Sequence, residues 1–304
     1  MNRSAPRSID QYLKQLREEL AGEDPALIQD ATYDAEEYLR AEIAAHPDKS
    51  EADVLEIIAS TYGAPDEVAG AYRDTEVKVK AAMNAPARRI PASGAGKFFG
   101  IFLDPRAYTS LFFMILSLAT GILYFTFAVT GLSLSAGLAV LIVGVPFFLL
   151  FIAVTRVISL AEGRLIEAMT GVRMPRRPLH PGSTQPFWSR VAHMLKDRRT
   201  WSTLAYLVMM LPLGIVYFVV AVVGLAVSMA FIFAPLAAVA DRAGWWGQPG
   251  QMHLSPAWME SLWALPLLLL AGVLLLTALM HLARGVGRVH AAYAKALLVD
   301  RSHG

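Results

Sequence analysis

The chain has 304 residues, 55% of them apolar, and a mean hydropathy of +0.45, which is high for a soluble protein and ordinary for a polytopic membrane protein. It has no Cys, which excludes disulfides, thiolate metal sites and thiol catalysis. The net charge of +2 conceals a division, because residues 1–74 hold seven Lys/Arg against seventeen Asp/Glu, a net of −10. An acidic head therefore precedes a basic, apolar body.

The N-terminal residues lack an apolar signal core, so the head is expected to stay in the cytoplasm. Ser8 and Gln11 form a capping box, and Ile9, Leu13, Leu16 and Leu20 recur behind it at helical spacing until Gly22. A second helix follows Pro25, with Leu27, Ile28, Ala31, Ala35, Tyr38, Leu39 and Ile43 as its buried face. Ser50 caps a third carrying Val54, Ile57, Ile58 and Tyr62, closed by Gly63. Pro65 opens a short fourth helix with Asp66 and Glu67 in its first turn, where the helix dipole favours them, and with Val68, Ala69 and Tyr72 facing inward. Four short helices suffice for a small domain over residues 1–75.

Tyr12-Leu13-x-x-Leu16-x-x-x-Leu20, the acidic second helix and the run Tyr62-Gly63-Ala64-Pro65-Asp66-Glu67-Val68-Ala69 resemble the HAAS signalling domain (DUF1700-like) of bacterial membrane proteins. Tyr62 and Val68 stand where that family has Leu and Ile. The resemblance implies a head that reports to a partner, either a PadR-type transcription regulator or a kinase.

Residues 76–98 read as a basic flexible linker, with Lys78, Lys80, Arg88, Arg89 and Lys97 among Ala, Pro and Gly, suited to an anionic membrane surface. Spans are predicted at 108–130 and 134–155, with a turn at 131–133 and a kink at Pro146. The segment 157–199 holds eight Lys/Arg against three Asp/Glu, which marks a cytosolic loop. Its first part, 157–169, and the stretch from Trp188 to Lys196 are amphipathic and suited to the interface. Further spans are predicted at 201–223 and 262–283. Residues 225–240, interrupted by Pro235, read as a short span or a re-entrant dip, the latter giving four full spans with both ends cytosolic. Trp245, Trp246 and Trp258 would then anchor an external segment.

Displaced by 93 positions, 104–135 falls on 197–228 without a gap. Asp104/Asp197, Arg106/Arg199, Leu118/Leu211, Gly121/Gly214, Tyr124/Tyr217, Phe125/Phe218, Gly131/Gly224 and Ser135/Ser228 are among the identities. Apolar composition alone does not align an Asp-x-Arg start, a Gly-x-x-Tyr-Phe centre and a Gly-Leu-x-x-Ser close. The fold class expected is therefore all-α: a polytopic α-helical membrane protein with two related helical-hairpin repeats and an N-terminal soluble helical domain.

Pro212-Leu-Gly214-Ile-Val-Tyr217-Phe218, Val143-Gly144-Val145-Pro146, Arg156-x(5)-Glu162-x-Arg164 and the Leu282-Ala-Arg284…Ala296-Leu297-Leu298 tail resemble the bacterial sensor membrane domain found ahead of histidine kinases and in stand-alone proteins. That resemblance covers roughly 100–300. No kinase sequence follows it, so output is expected from the head or a separate protein.

The seven His form no metal-binding spacing, no phosphate-cradling Gly loop is present, and no Asp or Glu falls within the predicted spans. The chain is therefore expected to be no enzyme, without cofactor or metal and without direct nucleic-acid binding. Gly121, Tyr124, Gly214 and Tyr217 are a candidate ligand or packing site, each Gly admitting a close helix three residues before a Tyr. Asp34, Glu36, Glu37 and Glu42 on one side, and Arg173, Arg176 and Arg177 on the other, are a candidate interface between head and loop. The expectation is a non-enzymatic sensor or regulatory protein of the bacterial inner (cytoplasmic) membrane, multi-pass, with its N-terminus cytosolic. Its partners would be the bilayer and a cytosolic regulatory protein, with oligomerisation open. The alternative is a lipid- or small-molecule-handling transporter or membrane scaffold.

Overall fold

A computed structural model of the chain describes residues 5–83, 94–139, 141, 143–177, 196–245, 261 and 263–299. Every regular element among them is helical. The order is α1 (Ile9–Glu19), α2 (Pro25–Ala45), α3 (Glu51–Thr61), α4 (Pro65–Met83), α5 (Gly94–Phe99), a 3₁₀ turn (Gly100–Leu103), α6 (Pro105–Leu138), α7 (Gly144–Thr170), α8 (Arg198–Arg242) and α9 (Ala264–Leu298). The last four are each long and apolar enough to cross a membrane. The protein is an all-α polytopic membrane protein.

The head folds around Tyr12, Leu13, Leu16, Leu20, Ala31, Leu39, Val54, Leu55, Ile58 and Ala69, all buried. Ser8 caps α1 by accepting from Gln11 N, but the Gln11 side chain reaches back to Arg7 N rather than to Ser8. Asp24 and Ser50 cap α2 and α3. Gly63 holds φ +114°, and Tyr12, fully buried, donates its hydroxyl to the Gly63 carbonyl at 2.8 Å. That bond ties the first helix to the left-handed turn that starts the fourth. On α3 the structure buries Leu55 and leaves Ile57 exposed, one residue off the expected face.

Four expectations change. The fourth helix is not short: no Gly or Pro interrupts residues 71–83, so α4 runs through the start of the presumed linker, and α5 takes up its end. Residues 84–93 lie outside the described residues. The turn expected at 131–133 is absent, because α6 continues to Leu138. Nor do residues 225–240 dip and return, for they complete the 45-residue α8, which carries Pro212 and Pro235 inside it. Finally, Pro146 sits in the first turn of α7, where its missing N–H costs nothing.

The repeated glycines explain why these helices do not break. A Cβ on Gly131 would lie 2.2 Å from the Phe151 ring of α7, and one on Gly224 would lie 2.8 Å from Leu279 of α9. In both repeats this Gly is a notch that receives a side chain from the next helix. The Asp-x-Arg start is likewise one device used twice. Asp104 accepts from Arg106 N at 3.0 Å and Asp197 from Arg199 N at 2.9 Å, each satisfying a free N–H at a helix start.

Contacts divide the chain into two compact units, one of residues 1–86, 128–206 and 291–304, the other of 87–127 and 207–290. In the second, Gly121 of α6 lies against Met210 and Leu211 of α8, and Gly214 of α8 lies against Ser117 and Leu118 of α6. Positions 93 apart exchange places, so the contact is reciprocal in the manner of a two-fold axis. The partner on α8 retreats from Gly214 to Met210 as α6 advances from Ser117 to Gly121.

Candidate functional site

The site with the most chemistry lies in the first unit, where α7 ends. Gly171 caps α7 at φ 73°, its N–H bonded to Glu167 O, and turns the chain back on the helix. Met174 is then fully buried and lies against Gly163 of α7. Arg176 bonds Glu167 at 2.8 Å, which holds its guanidinium more firmly charged. Residues 171–177 are thereby folded as a short basic strap against the last turns of α7.

The acidic face of the head is seated on this strap. Asp30 of α2 accepts from Arg176 N at 2.7 Å and Arg177 N at 2.9 Å through one oxygen, and from Arg173 Nη2 at 2.9 Å through the other. Glu76 of α4 takes Arg173 Nη1 at 2.7 Å. Gln29 donates to the Arg177 carbonyl at 2.7 Å. Arg177 Nε lies 2.8 Å from Asp34 Oδ1, off the line of a hydrogen bond, and its guanidinium stands over the Tyr33 ring. The side chains of Asp30 and Arg173 are only 6% and 11% exposed, whereas that of Arg177 is 51% exposed. Screening is weak for the first pair and strong for the last, so the seat depends on Asp30, Arg173 and Glu76.

Beside these bonds lies a cleft of about 400 Å³ lined by Leu27, Tyr72, Val79, Arg164 and the strap arginines. Burial lifts the Asp30 carboxyl above its ordinary range, opposed by the two strap N–H groups and by Arg173. Tyr72 donates to Asp34 at 2.8 Å, and burial followed by that bond raises its hydroxyl well above the ordinary value. A second tie joins the head to the end of α9, where Lys295 meets Asp24 at 2.5 Å.

Of the acidic residues singled out from sequence, Asp34 is the one that meets the strap in an ion pair described above. Glu36 pairs with Arg40 on its own helix at 2.7 Å, Glu42 lies 3.6 Å from His46, and Glu37 is exposed. Asp30, Gln29 and Glu76 were missed. Asp30 stands one turn before Asp34, which is the signal that could have found it. Glu76 was hidden by assigning it to a linker. Trp246, Trp258 and the stretch 188–195 lie outside the described residues, while Trp245 is exposed in the turn after α8.

Elsewhere in the first unit Glu162 of α7 is fully buried and accepts from the Tyr206 hydroxyl at 2.8 Å, and Tyr206 packs on Tyr293. In the second, Gly121 and Gly214 form the close crossing described above. Tyr217 stands edge-on to His290 of α9, its hydroxyl 3.5 Å from Nδ1, and His290 also meets Phe113. The residue 93 positions before His290 is Asp197, so the Tyr217 surroundings have no counterpart by repetition at Tyr124. Among the described residues no group of His, Asp and Glu could hold a metal ion.

A family model described as "Putative sensor" matches residues 113–298. The chain belongs to this sensor family. The matched region runs from within α6 to the end of α9 and so takes in all or most of the four apolar helices, the strap and the buried Glu162–Tyr206 pair. The head, residues 1–83, lies outside the sensor match. Neither curated proteins nor solved structures give a match to the chain.

Proposed function

We propose that this sensor-family protein is a non-enzymatic regulator of the bacterial inner membrane. In this reading its cytosolic head, a HAAS-like domain, is held on the strap in one state and released to a cytosolic partner in another. The observation that carries it is the Asp30 carboxylate, which binds two backbone N–H groups and a buried guanidinium of the segment leaving α7. A helix that crosses the bilayer is thereby linked to a soluble domain within a few residues. Any change in α7 that alters the turn at Gly171 alters the seat. The partner would be a transcription regulator or a kinase, by the resemblance of the head.

The seat also supports a topology. Asp30 reaches the strap after α7 and Asp24 reaches Lys295 at the end of α9, so these three segments share one side. The basic composition of 157–199 supports the cytosol as that side. The alternative of transport or scaffolding is favoured by one observation, the reciprocal packing of the repeated segments of α6 and α8, since internal repeats are also a carrier architecture. Single-cysteine accessibility in intact cells tests the two. Sites near Lys14, between Gly171 and Asp197, and at Val299 are expected to be shielded from an impermeant reagent. Labelling between Gly171 and Asp197 from outside, together with solute flux in proteoliposomes, would support the carrier.

A further inference from the structure

We infer that the strap has a second ligand, the phosphate groups of anionic lipids in the leaflet that faces the head, which compete with the head for the same arginines. The inference rests on the head-release reading above and supplies the chemistry of its stimulus. Arg173, Arg176 and Arg177 directly continue α7, a helix suited to crossing the bilayer, and Arg164 lies on its last turns beside them. They therefore sit where the membrane surface is expected. In the seated state carboxylates of the head, Asp30, Asp34 and Glu76, oppose these arginines. When the head lifts away, Arg176 keeps its Glu167 bond, and the Arg173 and Arg177 guanidiniums lose the head carboxylates that opposed them. Guanidinium groups bind phosphate in the same forked geometry as carboxylate, so the exchange substitutes like for like.

The seat is also imperfect in a way that favours exchange. Arg173 uses both Nη atoms on Asp30 and Glu76, yet among the described residues its buried Nε has no hydrogen-bond partner, and the buried Gln29 Oε1 has none either. A buried donor left unsatisfied weakens the seated state relative to one in which lipid oxygens and water reach it. Anionic lipid at about −30 mV of surface potential attracts juxtamembrane arginines strongly enough to matter against such a seat.

The test uses the full chain, spin-labelled at Lys14→Cys and Ala168→Cys, in nanodiscs of phosphatidylcholine alone or with phosphatidylglycerol at constant ionic strength. The ratio of seated to released head is expected to fall at least about tenfold with the anionic lipid. Arg176→Gln should flatten that dependence, read as the variant's own ratio of seating with and without the anionic lipid, because the Arg176 guanidinium bonds Glu167 and only its backbone N–H bonds the head. A ratio indifferent to lipid, in a head that is seated, overturns the lipid ligand and leaves the release reading standing. The same fall on adding inorganic phosphate to phosphatidylcholine discs overturns the lipid as the source. A head never seated in phosphatidylcholine overturns the release reading itself.

Discussion

Replacing Asp30 with Ala removes the acceptor of three strap bonds at once: the N–H groups of Arg176 and Arg177 and one Nη of Arg173. Arg173 keeps Glu76, so the loss is that of one partner in a buried charged network. Breaking such a network from one side costs about 3–5 kcal/mol, or roughly a hundred- to several-thousand-fold in the seating equilibrium at about 1.4 kcal/mol per tenfold. Arg177→Ala is the internal control, since its pair with Asp34 is half-exposed and worth about 0–1 kcal/mol. The assay is the distance distribution between spin labels at positions 14 and 168, both exposed, in a chain whose lack of Cys makes labelling site-specific. Asp30→Ala should replace a narrow distribution by a broad one, and Arg177→Ala should leave it nearly unchanged. Equal effects of the two, or a narrow distribution in Asp30→Ala, would refute the assignment of the seat to the buried network.

Other consequences follow from the same geometry. Gly63→Val should lower the melting midpoint of the head in a 1–83 fragment, because φ +114° is strained for a β-branched residue and the new Cβ would crowd Glu67; an unchanged circular dichroism melt would contradict this. Gly214→Ala should destabilise the detergent-solubilised protein by about 1–3 kcal/mol and more than Gly121→Ala, since its Cβ meets a backbone oxygen at 2.2 Å rather than 2.6 Å; the reverse order in thermal unfolding would count against the crossing. The pH dependence has a defined sign. Burial raises the Asp30 carboxyl in the seated state, so its contribution is full below the ordinary 3.8 and is lost as pH rises through the raised value. The seated fraction of wild type relative to Asp30→Asn should therefore rise from pH 7 toward 4, and a fall would contradict the sign.

The head was legible because its boundaries are written in local chemistry. Ser8, Ser50 and Pro65 stop or start helices by satisfying or omitting particular N–H groups, and Gly63 takes a backbone angle that other residues resist. The body was legible in its composition and in its 93-residue repeat, but not in its breaks. Gly131, Gly224 and Pro235 look like breakers in a chain read one residue at a time. In the structure the two glycines admit Phe151 and Leu279, a function that depends on a helix the local sequence does not contain. The charge argument named two segments that the structure brings together, with Asp34, Arg173, Arg176 and Arg177 among its residues. It ranked acids by local density, so it preferred the Glu36–Glu42 cluster to the single buried Asp30. Salt should weaken the seat only slightly, because the Debye length governs exposed pairs such as Asp34–Arg177 and much less a pair like Asp30–Arg173.

The most direct test of the seat is photocrosslinking in living cells from benzoylphenylalanine at position 33, since the Arg177 guanidinium stands 5.9 Å from the centre of the Tyr33 ring. Irradiation should give an intramolecular adduct within 173–177, identified by mass spectrometry and lost when Asp30 and Glu76 are both replaced by Ala. Adducts that never include the strap, or that persist undiminished in the double variant, would contradict the account.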